Sequence, residues 1–481
     1  MNAPLHDLAG IQARLQELQA HDLPVHGGRT LAYVYDAGLP EVDDLGRAAV
    51  AAFAGSNGLD PTAFPSMLTM ENELVGFACD LVDAPPEAVG TVTSGGTESC
   101  LLAVQTARDA HPEISRPNLV MASTGHAAFR KGAHYFGVEL RVVEVGADFR
   151  PDPGAMAAAI DEDTMLVVAS APSYAHGVVD PVPAIAAAAA ARGVRCHVDA
   201  CIGGWVLPYA ARLGRPVTPW TFAVDGVTSI SMDTHKYAYA PKGTSLLLHR
   251  SPALRKPQYF ASADWPGYTM LNSTLQSTKS GGPLAGAWSV MQALGNDGYV
   301  ALADQTFETV DRIIAGVGGI DGLALAVPPD STLVTLVTDD SCDPFTICDE
   351  MSERGWYVQP QLSYGGSPAN IHLTVQAGTL AHVDELLAAF ADAVAVAQAA
   401  GPVSVDPGVV AFIEALDPSV LSDDDFDGLL AASGLVGASA DGSLELPNRM
   451  APVNAMLDVA APAMREALLV AFLDRLARPV R

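Results

Sequence analysis

Five lysines occur in the chain: Lys131, Lys236, Lys242, Lys256 and Lys279. Lys236 stands apart because it closes the segment Ser231-Met232-Asp233-Thr234-His235-Lys236, directly after a β-branched run. The C-terminal end of a parallel strand is where an α/β enzyme places reactive groups, and partial burial lowers an amine's pKa towards useful nucleophilicity. A solvated strand-end lysine has the same local sequence. Ser94-Gly95-Gly96-Thr97-Glu98-Ser99 also lies between a strand pattern and a helix pattern. Its glycines let backbone N–H groups approach a phosphate at the helix N-terminus, and Thr97 can cap the helix or donate its hydroxyl. An ordinary glycine turn is the simpler alternative. Asp199 ends a third run, His197-Val198-Asp199, and would project from the same sheet edge. A buried carboxylate there needs a cationic partner.

These residues form a constellation: a phosphate cradle, a carboxylate suited to a protonated ring nitrogen and, 37 residues later, an amine suited to a Schiff base. That set describes a binding site for pyridoxal 5'-phosphate on a large α/β domain. The elements that must position it are legible as short β-branched runs at 88–93, 118–122, 139–145, 164–169, 194–198, 227–232 and 244–249. Helix-length segments separate these seven runs, which predicts a largely parallel sheet with crossover helices. The alanine run 186–191 is read as a helix packed on that sheet.

Around this core, Leu8, Ile11, Leu15 and Leu18 recur at helical spacing, so an amphipathic N-terminal helix is expected over 5–20, serving as an oligomer arm. Beyond Tyr299 the pattern predicts a helix at 301–317, strands at 332–337 and 371–375, and a long helix at 380–399. The expected division is an arm at 1–60, a large cofactor domain at 61–300, a smaller α+β domain at 301–400 and a helical, acidic extension at 401–481. In that extension Met456, Leu457, Leu468, Leu469, Phe472 and Leu476 are expected to make the apolar contacts.

Composition removes several functions. With 26 Lys+Arg against 55 Asp+Glu, the net charge of -29 repels phosphate backbones and anionic membranes, so no nucleic-acid partner is expected. No uncharged stretch resembles a membrane-spanning helix and no signal peptide is evident, which predicts a cytoplasmic protein with no membrane span. Six scattered cysteines without a CxxC pair suggest reduced, mostly buried thiols. HExxH and GxxxxGK[ST] patterns are absent, and no metal is expected.

The segments Thr93–Ser99, His126-Ala127-Ala128-Phe129, His197–Cys201 and Ser229–Gly243 resemble those of the sphingosine phosphate lyases, within the pyridoxal-phosphate-dependent group II decarboxylases. The resemblance covers about residues 25–400. It implies the type I aminotransferase-like fold, a homodimer whose active sites are shared between subunits, and a carbon–carbon lyase acting on a small amino substrate. By the same resemblance Lys236 carries the cofactor, Asp199 holds its ring nitrogen protonated and His126 stacks on the ring. Gly96, Thr97 and His235 would contact the phosphate, while Tyr35 and Lys242 would face the substrate.

Two departures matter. Where the lyases have Gly-Ser-Arg-Pro-Gly, reaching the neighbouring subunit's cofactor, this chain has Ser277-Thr278-Lys279-Ser280-Gly281. Thr278 keeps the hydroxyl, but Lys279 replaces a planar bidentate guanidinium with a point charge. Where they have Asn-Pro-Leu-His-Pro, it has Asn57-Gly58-Leu59-Asp60-Pro61. A carboxylate about 4 Å from a substrate phosphate would cost roughly 4 kcal/mol per charge pair. Alternatively, Asp60 caps a helix that begins at Pro61. The expected reaction breaks a Cα bond, by amino-acid decarboxylation or by retro-aldol cleavage. An aminotransferase or desulfurase on the same fold, and a catalytically silent cofactor-binding protein, are the alternatives.

Overall fold

The computed structural model describes residues 7–432, 447–477 and 479. Seven strands, β1 (Val89–Thr93), β2 (Asn118–Ala122), β3 (Glu139–Val143), β4 (Thr164–Ser170), β5 (Arg195–Asp199), β6 (Val227–Met232) and β7 (Ser245–His249), form one sheet in the order β1-β7-β6-β5-β4-β2-β3. Neighbours from β6 to β3 are parallel, as the alternation of strand and helix patterns predicts. The exception is β7, antiparallel to both β6 and β1. No helix lies between β6 and β7, so the crossover needed for a parallel pair is missing. Every residue of β4 is buried, because helices cover both faces of the sheet.

This topology decides where chemistry can occur. β1, β2, β5 and β6 point the same way, so the segments after Thr93, Ala122, Asp199 and Met232 leave from one edge of the sheet. A hairpin of β8 (Phe260–Ser262) and β9 (Met270–Asn272) precedes the helix Gly281–Val317. Only the second half of this helix was expected. Gly295 breaks it, with φ 54° and ψ -170°, a left-handed φ that glycine adopts readily. The glycine-rich first half hides its helical character in the sequence.

The second sheet is antiparallel: β10 (Leu323–Leu325), β11 (Leu333–Thr338), β12 (Gln359–Gln361) and β13 (Asn370–Thr374), in the order β10-β11-β13-β12. The helices Pro344–Glu353 and Val383–Ala400 share a core with it through Ile347, Met351, Leu386 and Phe390. The N-terminal helix runs Leu8–Gln19, capped by the Asp7 carboxylate, and its Leu8, Ile11, Leu15 and Leu18 are all exposed.

The helices Pro407–Ala415, Asp423–Ala432, Ala451–Val459 and Pro462–Leu476 make up the described part of the extension; residues 433–446, within the stretch expected to be helical, lie outside the described residues. Val409, Ile413, Phe426, Met456, Met464 and Leu468 build its own small core. It docks through Asp349, whose carboxylate accepts from the Met450 and Ala451 amides at 2.9 Å each, and through the Arg449–Glu350 pair at 2.6 Å. Two expected contacts are corrected: Leu469 and Leu476 are 52% and 45% exposed. Met464 and Leu468, four apart, turn inward, and a helix advances about 100° per residue, carrying Leu469 away from that face.

Candidate active site

A cleft of about 370 Å³ opens at the sheet edge where β1, β5 and β6 end. Six of the residues expected from sequence line it: Gly96, Thr97, His126, Asp199, His235 and Lys236. Tyr35, Lys242, Asp60 and Thr278 do not line it.

Lys236 lies on the turn after β6. Its Nζ is 3.0 Å from an Asp233 oxygen, and the two side chains are 20% and 2% exposed. Burial lowers the amine's pKa, but the Asp233 charge outweighs it and holds Lys236 well above its ordinary value. The expected lowering by burial is therefore reversed by a neighbour that the sequence reading left out. Asp233 is pulled below the ordinary carboxylate value: burial raises it, and Lys236 and His235 overcome that.

Asp199 closes β5 and is 7% exposed. One of its oxygens accepts from the Cys201 amide at 3.1 Å and from the Ser231 hydroxyl at 3.3 Å. His126 is the N-cap of the helix Ala127–Phe136, its Nδ1 accepting from the Ala128 amide at 3.1 Å. That bond fixes the ring's orientation in the cleft. Tyr174 faces it edge-on at 6.5 Å, with its own ring stacked on His372 and its hydroxyl bonded to Gln359 at 2.7 Å.

The helix Gly96–Asp109 begins at the second glycine of the pair, and its first residues, whose N–H groups have no intrahelical acceptors, line the cleft. A Cβ on Gly96 would lie 2.6 and 2.7 Å from the two Asp233 oxygens, so only glycine fits. Glu98 braces the turn, accepting from the Ser94 amide at 2.6 Å and the Leu275 amide at 2.8 Å. Burial lowers the His235 pKa to about 4, against the pull of Asp233, leaving a neutral imidazole at pH 7.

Lys242 sits behind the cleft. Its Nζ donates to the Tyr33 carbonyl at 2.8 Å and lies 4.9 Å above the Tyr35 ring. Desolvation of the amine against Tyr35 and the nearby Lys236 charge lower its pKa to about 8, although the residue as a whole is exposed, which weakens that lowering. Asp60 is exposed. Its carboxylate accepts from the Thr62 amide at 2.8 Å and hydroxyl at 2.7 Å, which holds its pKa below the ordinary value. The helix it was expected to cap begins at Pro65 rather than Pro61. Thr62 instead closes a tight turn on Asp60, delaying the helix by four residues. Thr278 is exposed, and Lys279 turns inward to Glu71 at 2.6 Å.

Sequence reasoning missed Asp233, Tyr174, Cys100 and Cys201, all on the cleft wall. Asp233 and Cys201 stood within the strand-end segments, whereas Tyr174 and Cys100 are brought to the wall by folding. The residues fit pyridoxal phosphate on structural grounds. A carboxylate, an amine and a glycine-started helix converge, and the buried Asp233 Oδ1 has no hydrogen-bond partner.

A doubly wound sheet with this donor set defines a pyridoxal-phosphate enzyme of the type I aminotransferase-like fold. The chain belongs to the pyridoxal-dependent decarboxylase family, whose conserved domain it matches over residues 45–334. Pyridoxal phosphate is therefore its cofactor. Residues 407–475 match a second family, described as the C-terminal putative HTH domain of pyridoxal-dependent enzymes, so the extension that fell outside the sequence resemblance has relatives of its own. The sphingosine-1-phosphate lyase of Dictyostelium discoideum is 37% identical over 333 residues, 68% of this chain and 61% of that protein. The chain thus spans about three fifths of that relative's length. A probable L-tyrosine/L-aspartate decarboxylase of Methanocorpusculum labreanum is 36% identical over 286 residues, 59% of this chain and 75% of that protein. Among solved structures, the sphingosine-1-phosphate lyase of Burkholderia pseudomallei superposes with a TM-score of 0.78 at 30% identity, covering 83% of this chain and 93% of the other.

Proposed function

We propose that this chain is a carbon–carbon lyase that cleaves the Cα bond of a phosphorylated amino alcohol by a retro-aldol reaction, releasing an aldehyde. The observation that carries this reading is the convergence of Lys236, Asp199 and the Gly96 helix start on one cleft, in a chain similar to lyases of that class. Pyridoxal phosphate, when bound, supplies the electron sink for the broken bond.

In this reading Lys236 anchors the cofactor and moves a proton at its Nζ, with Asp233 holding the amine in place. Asp199, in a water-poor setting where charge interactions are strong, holds a proton at the ring nitrogen. His126, fixed by its cap bond, lies against the ring face. Gly96, Thr97 and His235 bind the phosphate, and Tyr35 and Lys242 approach the substrate from behind. Asp60, bonded to Thr62, lies outside its own chain's cleft.

Amino-acid decarboxylation is the second reading, favoured by the decarboxylase among the similar proteins. The test incubates the holoenzyme with amino-alcohol phosphates and with amino acids. Aldehyde with a phosphorylated amine supports the lyase, carbon dioxide supports decarboxylation, and keto acid or sulfide indicates the aminotransferase or desulfurase. No product from any of them supports the silent protein.

The assembly we propose is a homodimer with shared active sites. The exposed stripe Leu8, Ile11, Leu15 and Leu18 supports it, as do Phe260, Trp265, Tyr268, Leu271 and Leu275, 44–65% exposed near Thr278. Among the described residues no helix is long and apolar enough to cross a membrane. Six free cysteines, five of them buried, suit the reducing cytoplasm proposed as its location.

A further inference from the structure

The cleft holds a set of donors that the proposed chemistry does not use together. Cys100, on the second turn of the helix Gly96–Asp109, and Cys201, two residues after Asp199, bring their Sγ atoms and an Asp199 carboxylate oxygen within 4.8 Å of one another. All three line the cleft, and they are 1%, 7% and 7% exposed. A tetrahedral d¹⁰ cation with metal–sulfur bonds of about 2.3 Å spaces its ligands by roughly 3.8 Å, within this envelope. Two sulfurs and one oxygen form a soft donor set of the kind that selects zinc and its heavier congeners over magnesium or calcium.

The surroundings are organised as an outer shell for such a site. The Cys201 thiol donates to the Ser231 hydroxyl at 3.3 Å, and that hydroxyl donates to Asp199 at 3.3 Å. His197 Nε2 lies 3.1 Å from the same hydroxyl. Ser231 therefore holds two of the three donors in fixed relation, as outer-shell groups do for metal ligands. Hydrogen bonding with Cys100, burial and the Asp199 and Asp233 charges keep the Cys201 thiol protonated in the metal-free protein. A divalent cation reverses that balance, since a coordinating thiol is deprotonated outright.

We propose that Cys100, Asp199 and Cys201 bind one thiophilic divalent cation, Zn²⁺ or Cd²⁺, in the cofactor-free protein, and that this cation and the cofactor exclude each other. Binding forms two metal–thiolate bonds and one metal–carboxylate bond and releases the two thiol protons to solvent, with no change of oxidation state. The exclusion rests on the proposed role of Asp199, whose carboxylate cannot serve a ring nitrogen and a metal at once.

The test titrates the cofactor-free full chain with Cd²⁺, following ultraviolet cadmium–thiolate absorption and proton release in weak buffer. The expected result is one Cd²⁺ and two protons per chain. Cys100→Ser and Cys201→Ser should each weaken binding by more than about tenfold, as loss of a metal-site group does, whereas Cys79→Ser should not. Urea midpoints without metal establish that the serine variants are folded, and Cys201→Ala provides a second variant at that position. Unchanged binding in the Cys100 and Cys201 variants, or no thiolate absorption in the parent, overturns the site. Holoenzyme should take up no Cd²⁺. Equal uptake by holoenzyme whose cofactor maps to Lys236 overturns the exclusion and the Asp199 role, while leaving the cofactor assignment standing.

Discussion

The Lys236 ammonium and the Asp233 carboxylate stand 3.0 Å apart, three residues from each other on the turn that leaves β6. Removing one member of a buried pair leaves an uncompensated charge, at a cost of about 3–5 kcal/mol. Asp233→Asn should therefore lower the stability of the cofactor-free protein by about 3 kcal/mol in urea unfolding, and adding Lys236→Met should recover most of that loss. Asp233 is depressed and Lys236 raised, so the pair's contribution is present above the ordinary aspartate pKa and below the ordinary lysine pKa. It is lost progressively as pH falls through the depressed Asp233 value or rises through the raised Lys236 value. Unchanged stability in Asp233→Asn would show that the pair contributes nothing.

Acid sensitivity is the second prediction. Burial lowers His176, His197 and His235 to about 4, and His249 and His372 to about 3. Each stays neutral in the fold and protonates on unfolding, so its contribution is complete above pH 6.5 and lost as pH falls towards its folded value. Asp180, raised by burial to about 7, acts oppositely through the same window, holding a proton in the fold that it gives up on unfolding. The net of these groups is up to four protons gained on unfolding near pH 5.5, a slope of about 5 kcal/mol per pH unit. Urea midpoints should fall steeply from pH 6.5 to 4.5, and a flat profile would contradict neutral buried histidines.

Much of this was legible in the sequence. Runs rich in β-branched residues marked all seven strands of the large sheet, because such side chains pack well on a pleated, half-buried surface. The same runs placed Lys236, Asp199 and Gly96 at strand ends, where parallel topology gathers them. What escaped depended on tertiary geometry. Cys100 and Cys201 read as inert buried thiols until the helix after β1 laid one beside the other. Asp60 carried a cap signal, but Thr62 closed a turn on it and the helix began only at Pro65. The direction of β7 followed from a missing crossover, which no residue type announces.

The glycine cradle makes a third prediction. Gly96→Ala sets a Cβ 2.6 Å from a buried carboxylate held by Lys236, so the turn must shift where the phosphate is proposed to bind. Cofactor affinity by equilibrium dialysis should fall by more than about tenfold, equivalent to 1.4 kcal/mol. Gly366→Ala, with nothing within 4 Å of the new Cβ, should leave it unchanged. Equal affinities in the two variants would remove Gly96 from the phosphate site.

A fourth concerns substrate charge. Asp60 is exposed and spent on Thr62, so Asp60→Asn should change stability by less than about 0.5 kcal/mol. Phosphoethanolamine affinity should be the same in wild type, Asp60→Asn and Asp60→His. Tighter binding by the histidine variant would place position 60 beside a substrate phosphate after all.

Lys236 is proposed to carry the cofactor, and its rival is Lys242. With its pKa lowered to about 8, Lys242 is the freer amine at neutral pH, whereas Lys236 is tied to Asp233 but lies on the cleft wall with Asp199 and the glycine turn. Borohydride reduction of the holoenzyme followed by peptide mapping separates position from basicity. The pyridoxyl group is expected on Lys236 alone, and its recovery on Lys242 or Lys279 would contradict that assignment.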